Sequence, residues 1–168
     1  IARCNYYIDS YKKIKDAGQL TEAEMATIEA YVAEAYFTRA YSYLQLAGYF
    51  CKAYNAETAD EDMGLPLQLT YAPTSDASYY PGRSSMKATY ATIMDDINEA
   101  AKFVNPSLAL SAGQDAINYI SADVVTALKA RAALQMKDYA TAVEASTSLI
   151  NAGKYPLINN ADQYRSMF

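Results

Sequence analysis

The side chains with the most evident chemical capacity are carboxylates that stand together, at Asp95-Asp96 and at Asp60-Glu61-Asp62. Two carboxylates can run acid–base chemistry on a glycosidic bond, but only when they face each other across the sugar. Adjacent residues on a helix point about 100° apart, so Asp95-Asp96 reads as a solvated face. The Asp60 run lacks the Asp-x-Asp-x-Asp-Gly order, which argues against a calcium loop. The chain has no His, the usual nitrogen ligand of zinc, and Cys4 and Cys51 match no metal-ligand spacing. No metal and no cofactor is expected. With no Gly-x-Ser-x-Gly element either, a hydrolase is disfavoured, although a glycosidase would survive without His.

Tyrosine is the compositional outlier, with 17 Tyr against 4 Phe and no Trp. A phenol offers a flat apolar face and a hydroxyl that donates or accepts a hydrogen bond, a combination suited to polyhydroxy ligands. Tyr54, Tyr71, Tyr79 and Tyr80 fall in a non-helical stretch and are the candidate ligand-binding residues. They stack on the C–H faces of a sugar on one reading, and fold back over the helices on the other. Tyr31, Tyr36, Tyr41, Tyr43, Tyr90 and Tyr139 lie on helical patterns and are expected in the core. Arg39 and Arg131 either contact a ligand or pair with a nearby carboxylate, with Glu34 and Asp96 as candidate partners.

The elements that must position these residues are helices. At 168 residues, with 52% hydrophobic and 20% charged, the chain suits one folded domain. A formal net charge of −5 argues against a phosphate-tracking surface, so no nucleic acid is expected. Thr21-x-x-Glu24 has the form of a capping box and predicts a long helix carrying Ile28, Val32, Ala35, Tyr36, Ala40, Tyr43 and Ala47, walled in on most sides. The segments 1–17 and 21–49 form a hairpin turning near Gly18. That separates Cys4 from Cys51 by roughly 25 Å at about 1.5 Å per residue, so two buried free thiols are expected.

Ser84 and Ser85 cap a helix with Tyr90, Ile93, Met94, Ile97, Ala101 and Val104 inward and Asp95, Asp96, Glu99 and Lys102 facing away, stopping before Pro106. Ser121 opens a fourth helix, and Tyr139, Val143, Ser146 and Ile150 mark a fifth that ends at Gly153. The short Lys137-Asp138 link makes these two an antiparallel pair, and Tyr139 should fill the gap where they diverge. No stretch alternates apolar with polar residues, so the prediction is an all-α array. No run of about 18 apolar residues could span a membrane and no leader opens the chain. Ile1 stands within a helical pattern, as expected of a piece of a longer chain.

Ala127-x-x-x-Arg131-Ala132 echoes Ala35-x-x-x-Arg39-Ala40, and Asp138-Tyr139-x-x-Ala142 reads like the turn and second helix of a tetratricopeptide repeat. The echo is interrupted by an insertion over about 50–83, rich in Asp, Pro, Ser and Tyr and longer than loops run without a function. Here the resemblance becomes specific. Ala33-Glu34-Ala35-x-x-x-Arg39-Ala40-x-x-Tyr43-Leu44 resembles the "A-E-A-x-x-x-R-A-x-x-Y-x-x-L" helix of the SusD-like (RagB/SusD) family, and Gly64-Leu65-Pro66-Leu67 resembles its "G-x-P-L". Arg83-Ser84-Ser85, Tyr90-x-x-Ile93-x-x-Asp96-Ile97-x-x-Ala100, Lys129-Ala130-Arg131-Ala132-Ala133-Leu134 with Tyr139-x-x-Ala142, and Gly153-Lys154-Tyr155-Pro156-Leu157 follow in family order.

The resemblance implies a tetratricopeptide-like array of antiparallel helix pairs. It also implies a non-enzymatic protein that binds glycans at the cell surface and hands them to a TonB-dependent outer-membrane transporter. It further implies an outward-facing place at the cell outer membrane, held by a lipid anchor absent from this chain, since Cys4 sits inside a helix start. Residues 1–168 are then one α-helical SusD-like domain, a fragment of a longer chain. The alternative is a tetratricopeptide-type scaffold mediating protein–protein interaction, because such arrays bind peptides in a concave groove. Exposed Tyr in 50–83 favours glycan, whereas a polar helical groove favours peptide.

Overall fold

The structure, a computed structural model, describes residues 1–105 and 118–166. Helix α1 (Ala2–Ala17) ends at Gly18, whose φ of 60° is the left-handed value that glycine adopts without penalty. Thr21 then opens α2 (Glu22–Phe50) through the capping box foreseen in the sequence. The Thr21 hydroxyl accepts from the Glu24 amide, while the Glu24 carboxylate accepts from the Thr21 amide at 2.9 Å. Hydrogen bonds donated by the Thr21 hydroxyl, at 2.7 Å, and by the Thr21 amide hold the Glu24 carboxyl below its usual range.

After α2 no α-helix recurs before residue 86, and the chain runs through turns, two short strands and a single 3-10 turn. Strand β1 (Met63–Pro66) pairs antiparallel with β2 (Arg83–Ser85), Met63 opposite Ser85 and Pro66 opposite Arg83, with an irregularity between. The ribbon pins both ends of the insertion. The Arg83 guanidinium donates to the Gly64 carbonyl at 2.7 Å and to the carbonyls of Met63 and Phe50, the latter at the last residue of α2. Before the ribbon, a turn over 58–62 carries the carboxylates Asp60 and Asp62, and its carbonyls at Ala59 and Asp62 accept from the amides of Lys87 and Met86.

Ser85 caps α3 (Met86–Phe103), Ser121 caps α4 (Ala122–Gln135) and Asp138 caps α5 (Tyr139–Asn151), each through its side-chain oxygen. Gly153, at φ 65°, follows α5, and Asn160 caps a short α6 (Ala161–Arg165). Helix α3 stops before Pro106, as expected, although Pro106 itself lies outside the described residues. Helices α1 and α3 pack on α2, α4 packs on α3, and α5 packs on α4. The result is the all-α, tetratricopeptide-like array with its long insertion, plus a ribbon too short to leave an alternating pattern in the sequence.

The core runs through Ile8 and Tyr11 of α1, Val32, Ala40, Tyr43 and Leu44 of α2, Ile93 and Ile97 of α3, and Val125 and Leu128 of α4. Three tyrosines expected there are exposed instead, namely Tyr31, Tyr41 and Tyr139. Helix α2 buries the faces turned to α1 and α3 and leaves its outer side open, so it is less walled in than its low charge suggested. On α5 the buried residues are Ala142 and Ala145, while Tyr139, Val143 and Ile150 form the outer stripe. Small residues allow α4 and α5 to approach closely, and the larger ones are left outside.

Candidate functional site

The insertion is anchored by a buried polar network. The Arg39 guanidinium forms a bidentate pair with Asp96, with Nε and Nη2 each 2.7 Å from a carboxylate oxygen. Its remaining nitrogen, Nη1, donates to Asn5 Oδ1 at 2.9 Å and to the Leu69 carbonyl at 3.2 Å. Asn5 turns its own amide to the carbonyls of Gln68 and Thr70, at 2.8 and 3.2 Å. The Tyr43 hydroxyl accepts from the Gln68 amide and donates to the Gln68 carbonyl, both at 2.9 Å. Finally the Tyr71 amide donates to Asp9 at 2.7 Å. Residues on α1 and α2 therefore hold successive backbone groups of the segment 68–71, and Asp96 on the next helix holds Arg39 in place.

This corrects the reading of Asp96. It is 3% exposed, not on a solvated face, because the turn of α3 that carries it lies against Arg39 on α2, while Asp95 remains exposed. Burial pushes the Asp96 carboxyl up from its usual range, and the adjoining guanidinium pulls it back. The pairing expected for Arg39 is found with Asp96 and not with Glu34, whose carboxylate accepts instead from the Ile120 amide at 2.7 Å. Arg131, its echo on α4, is exposed and has no hydrogen bond or ion pair among the described residues.

The four candidate tyrosines divide. Tyr54 is half-buried, its ring edge-on to Tyr90 at 5.1 Å, and it packs against the core. Tyr71, Tyr79 and Tyr80 are all exposed. Tyr79 ends a single turn of 3-10 helix (Ala77–Tyr79), and the Tyr80 hydroxyl donates to the Thr74 carbonyl at 3.1 Å. These three rings do not stack on one another. Tyr71 meets Tyr6 of α1 instead, with centroids 5.1 Å apart at 74°, and Tyr6 in turn meets Tyr7 at 5.9 Å and 75°.

Tyr6 and Tyr7 were not singled out in the sequence, although adjacent tyrosines on one helix point about 100° apart and cannot share a single buried face. They border a groove of about 650 Å³ between α1 and α2, whose walls include Tyr11, Ile14, Ile28, Tyr31 and Val32. The groove's lining is mainly apolar.

The remaining chemistry is occupied. Asp60 pairs with Lys87, and Asp62 with Lys52 and the Thr58 hydroxyl, so the acidic run braces its own turn. Among the described residues, no group of three or more His, Cys, Asp or Glu could hold a metal. Both cysteines are free thiols. Cys4 is buried as expected, but Cys51, capping α2, is only half-buried. Among the described residues no helix is long and apolar enough to cross a membrane.

Residues 2–112 match the SusD-like family described as starch-binding associating with outer membrane. No curated protein matches the sequence. Among solved structures, a SusD superfamily protein of Bacteroides thetaiotaomicron aligns with a TM-score of 0.64 at 22% identity, covering 94% of this chain and 31% of its own. A SusD-like carbohydrate binding protein of Bacteroides vulgatus gives 0.66 at 22%, covering 94% and 30%, and a SusD-like protein of Bacteroides fragilis 0.65 at 21%, covering 92% and 25%. The chain thus spans no more than about a third of these relatives, and at such identities the likeness is one of fold. The family match extends over more than half of the chain and includes the helix that carries Arg39, the Gly64-Leu65-Pro66-Leu67 segment and the α3 helix that carries Asp96. The protein belongs to the SusD-like family.

Proposed function

We propose that this chain is the helical, non-catalytic part of a longer protein that binds glycans at the outer face of the outer membrane and passes them to a TonB-dependent transporter. One observation carries the reading: Tyr71, Tyr79 and Tyr80 are exposed on an insertion whose base is fixed by the Arg39–Asp96–Asn5–Tyr43 network. Rings held in place before binding spare the ligand the cost of ordering them. The family description supplies starch as the first glycan to try, and its association with the outer membrane supports the location. A lipid anchor and the transporter belong to the same reading.

The protein-scaffold alternative needs a polar, peptide-gripping helical groove. The groove between α1 and α2 is mainly apolar and aromatic, which favours the glycan reading. The test is calorimetric titration of the protein with soluble starch and a panel of other soluble polysaccharides, beside a Tyr71→Ala, Tyr79→Ala, Tyr80→Ala variant. Saturable binding that the variant loses is the expected result. Absence of binding to every member of the panel would overturn the reading in favour of the scaffold. Co-purification of an outer-membrane barrel with the tagged protein tests the hand-over.

A further inference from the structure

The geometry points to a second part of the carbohydrate surface on α1: Tyr6 and Tyr7, joined by Tyr71, form a sugar subsite at the mouth of the α1–α2 groove. This rests on the glycan reading above and extends it to residues outside the insertion.

Three observations support the assignment. First, the rings are open. Tyr6 is 52% exposed, Tyr7 57% and Tyr71 45%, and no hydroxyl among them has a hydrogen-bond partner in the described residues. An edge-on contact covers at most one face of one ring in each pair, so these arrangements leave aromatic faces for the C–H side of a sugar. Second, the rings are held in place. Tyr6 and Tyr7 stand between the buried residues Asn5 and Ile8, and the Tyr71 backbone is held by the hydrogen bond its amide donates to the Asp9 carboxylate. Asn5 thus ties the 68–71 segment to α1 from the position next to Tyr6.

Third, the groove beside them has the size of a small-molecule site, about 650 Å³, and carries a few polar side chains in a mainly apolar lining. Arg3, Ser10, Glu34 and Thr38 are those polar groups. They offer both donors and acceptors, as hydroxyl recognition requires. A nucleotide or other phosphate ligand would want clustered cations, and the groove wall supplies Arg3 alone.

The experiment compares the protein with a Tyr6→Ala, Tyr7→Ala variant and, separately, a Tyr79→Ala, Tyr80→Ala variant. Each is titrated calorimetrically with soluble starch, the other panel polysaccharides and a ladder of malto-oligosaccharides of increasing length. Alanine is the strongest helix former, so α1 should persist, which far-UV circular dichroism checks. The α1 variant should weaken binding of the best ligand roughly ten-fold or more, as expected when aromatic anchors are truncated. A Tyr6→Phe, Tyr7→Phe variant should recover the part of that loss due to stacking. An α1 variant that binds within about two-fold of the parent, while the insertion variant loses binding, overturns the subsite and leaves the glycan reading standing. A parent that binds no member of the panel overturns both and leaves the groove as a face for another protein surface.

Discussion

Replacing Arg39 by Met keeps much of the apolar stem and removes the guanidinium, which isolates what the network contributes. The Asp96 carboxylate loses both of its bonds, and the Leu69 carbonyl and Asn5 Oδ1 each lose one. The carboxylate dominates. Leaving one partner of a buried pair without the other costs about 3–5 kcal/mol, because a desolvated charge is left uncompensated. In a domain of this size each kcal/mol lowers Tm by about 2–4 °C, so Arg39→Met should fall by roughly 6–20 °C in a thermal melt followed by circular dichroism. The consequence for the insertion is read separately. Amide hydrogen exchange at Gln68 and Tyr71 should quicken as segment 68–71 loosens.

The double variant Arg39→Met, Asp96→Leu completes a cycle. With both charges gone no orphan remains, so the double variant should regain much of what the single one loses. Such exchanges are often neutral or better for stability. Arg39→Lys should fall between, since an ammonium cannot span both carboxylate oxygens and reach Asn5 and Leu69 as well. The reasoning fails if Arg39→Met melts within about 2 °C of the parent, or if the double variant loses the sum of the two single losses.

Two further outcomes follow from the same geometry. A Cβ at Gly64 would lie 2.2 Å from Thr89 Oγ1 and 2.4 Å from the Ser85 carbonyl, so Gly64→Ala must displace the ribbon from the start of α3. It should cost about 1–3 kcal/mol in a denaturant titration, and Thr89→Ala in that background should restore only part, because the Ser85 contact is to backbone. Burial raises the Glu34 carboxyl above its usual range, against the lowering effect of the Ile120 amide bond. A raised folded pKa contributes stability that is present below the unfolded pKa and is lost as pH rises through the folded one. Relative to Glu34→Gln, the parent should therefore gain Tm as pH falls from about 7 to about 4.5. No relative gain in paired melts would refute that.

The helices were legible because their signals are local. The Thr21 capping box, the stop at Gly18, the Ser85, Ser121 and Asp138 caps and the 3.6-residue period need only neighbours in sequence to be read. What misread was the outward side of each helix. Tyr31, Tyr41 and Tyr139 sit on helical patterns as apolar as those of Tyr36 and Tyr43, and only the placement of α1, α3 and α4 decides which of them is covered. Asp96 misled for the complementary reason. A carboxylate beside another carboxylate looks solvated until a guanidinium 57 residues away is brought to 2.7 Å from it. Of the candidate site, the insertion and its exposed tyrosines could be named from sequence. The contact of Tyr71 with Tyr6 across 65 positions could not, because no local rule links them.

The hydroxyl partners sort the tyrosines more sharply than composition does. Tyr11, Tyr43 and Tyr90 are buried, and their hydroxyls bond Glu29, the Gln68 backbone and Gln135. Those phenols are explained by folding, since a buried hydroxyl needs a partner and has one. Tyr6, Tyr7, Tyr71 and Tyr79 are exposed with hydroxyls that bond nothing in the described residues, so hydrogen bonding within the fold does not call for a phenol at these positions. A Glu or Lys would propagate α1 at least as well as Tyr6 or Tyr7 and expose less apolar surface. These seven tyrosines therefore fall into two groups, and the proposed binding surface draws on the second together with Tyr80, whose hydroxyl is taken by the Thr74 carbonyl. That second group lies on α1 as well as in the insertion, which is why the proposed sugar surface cannot be confined to residues 50–83.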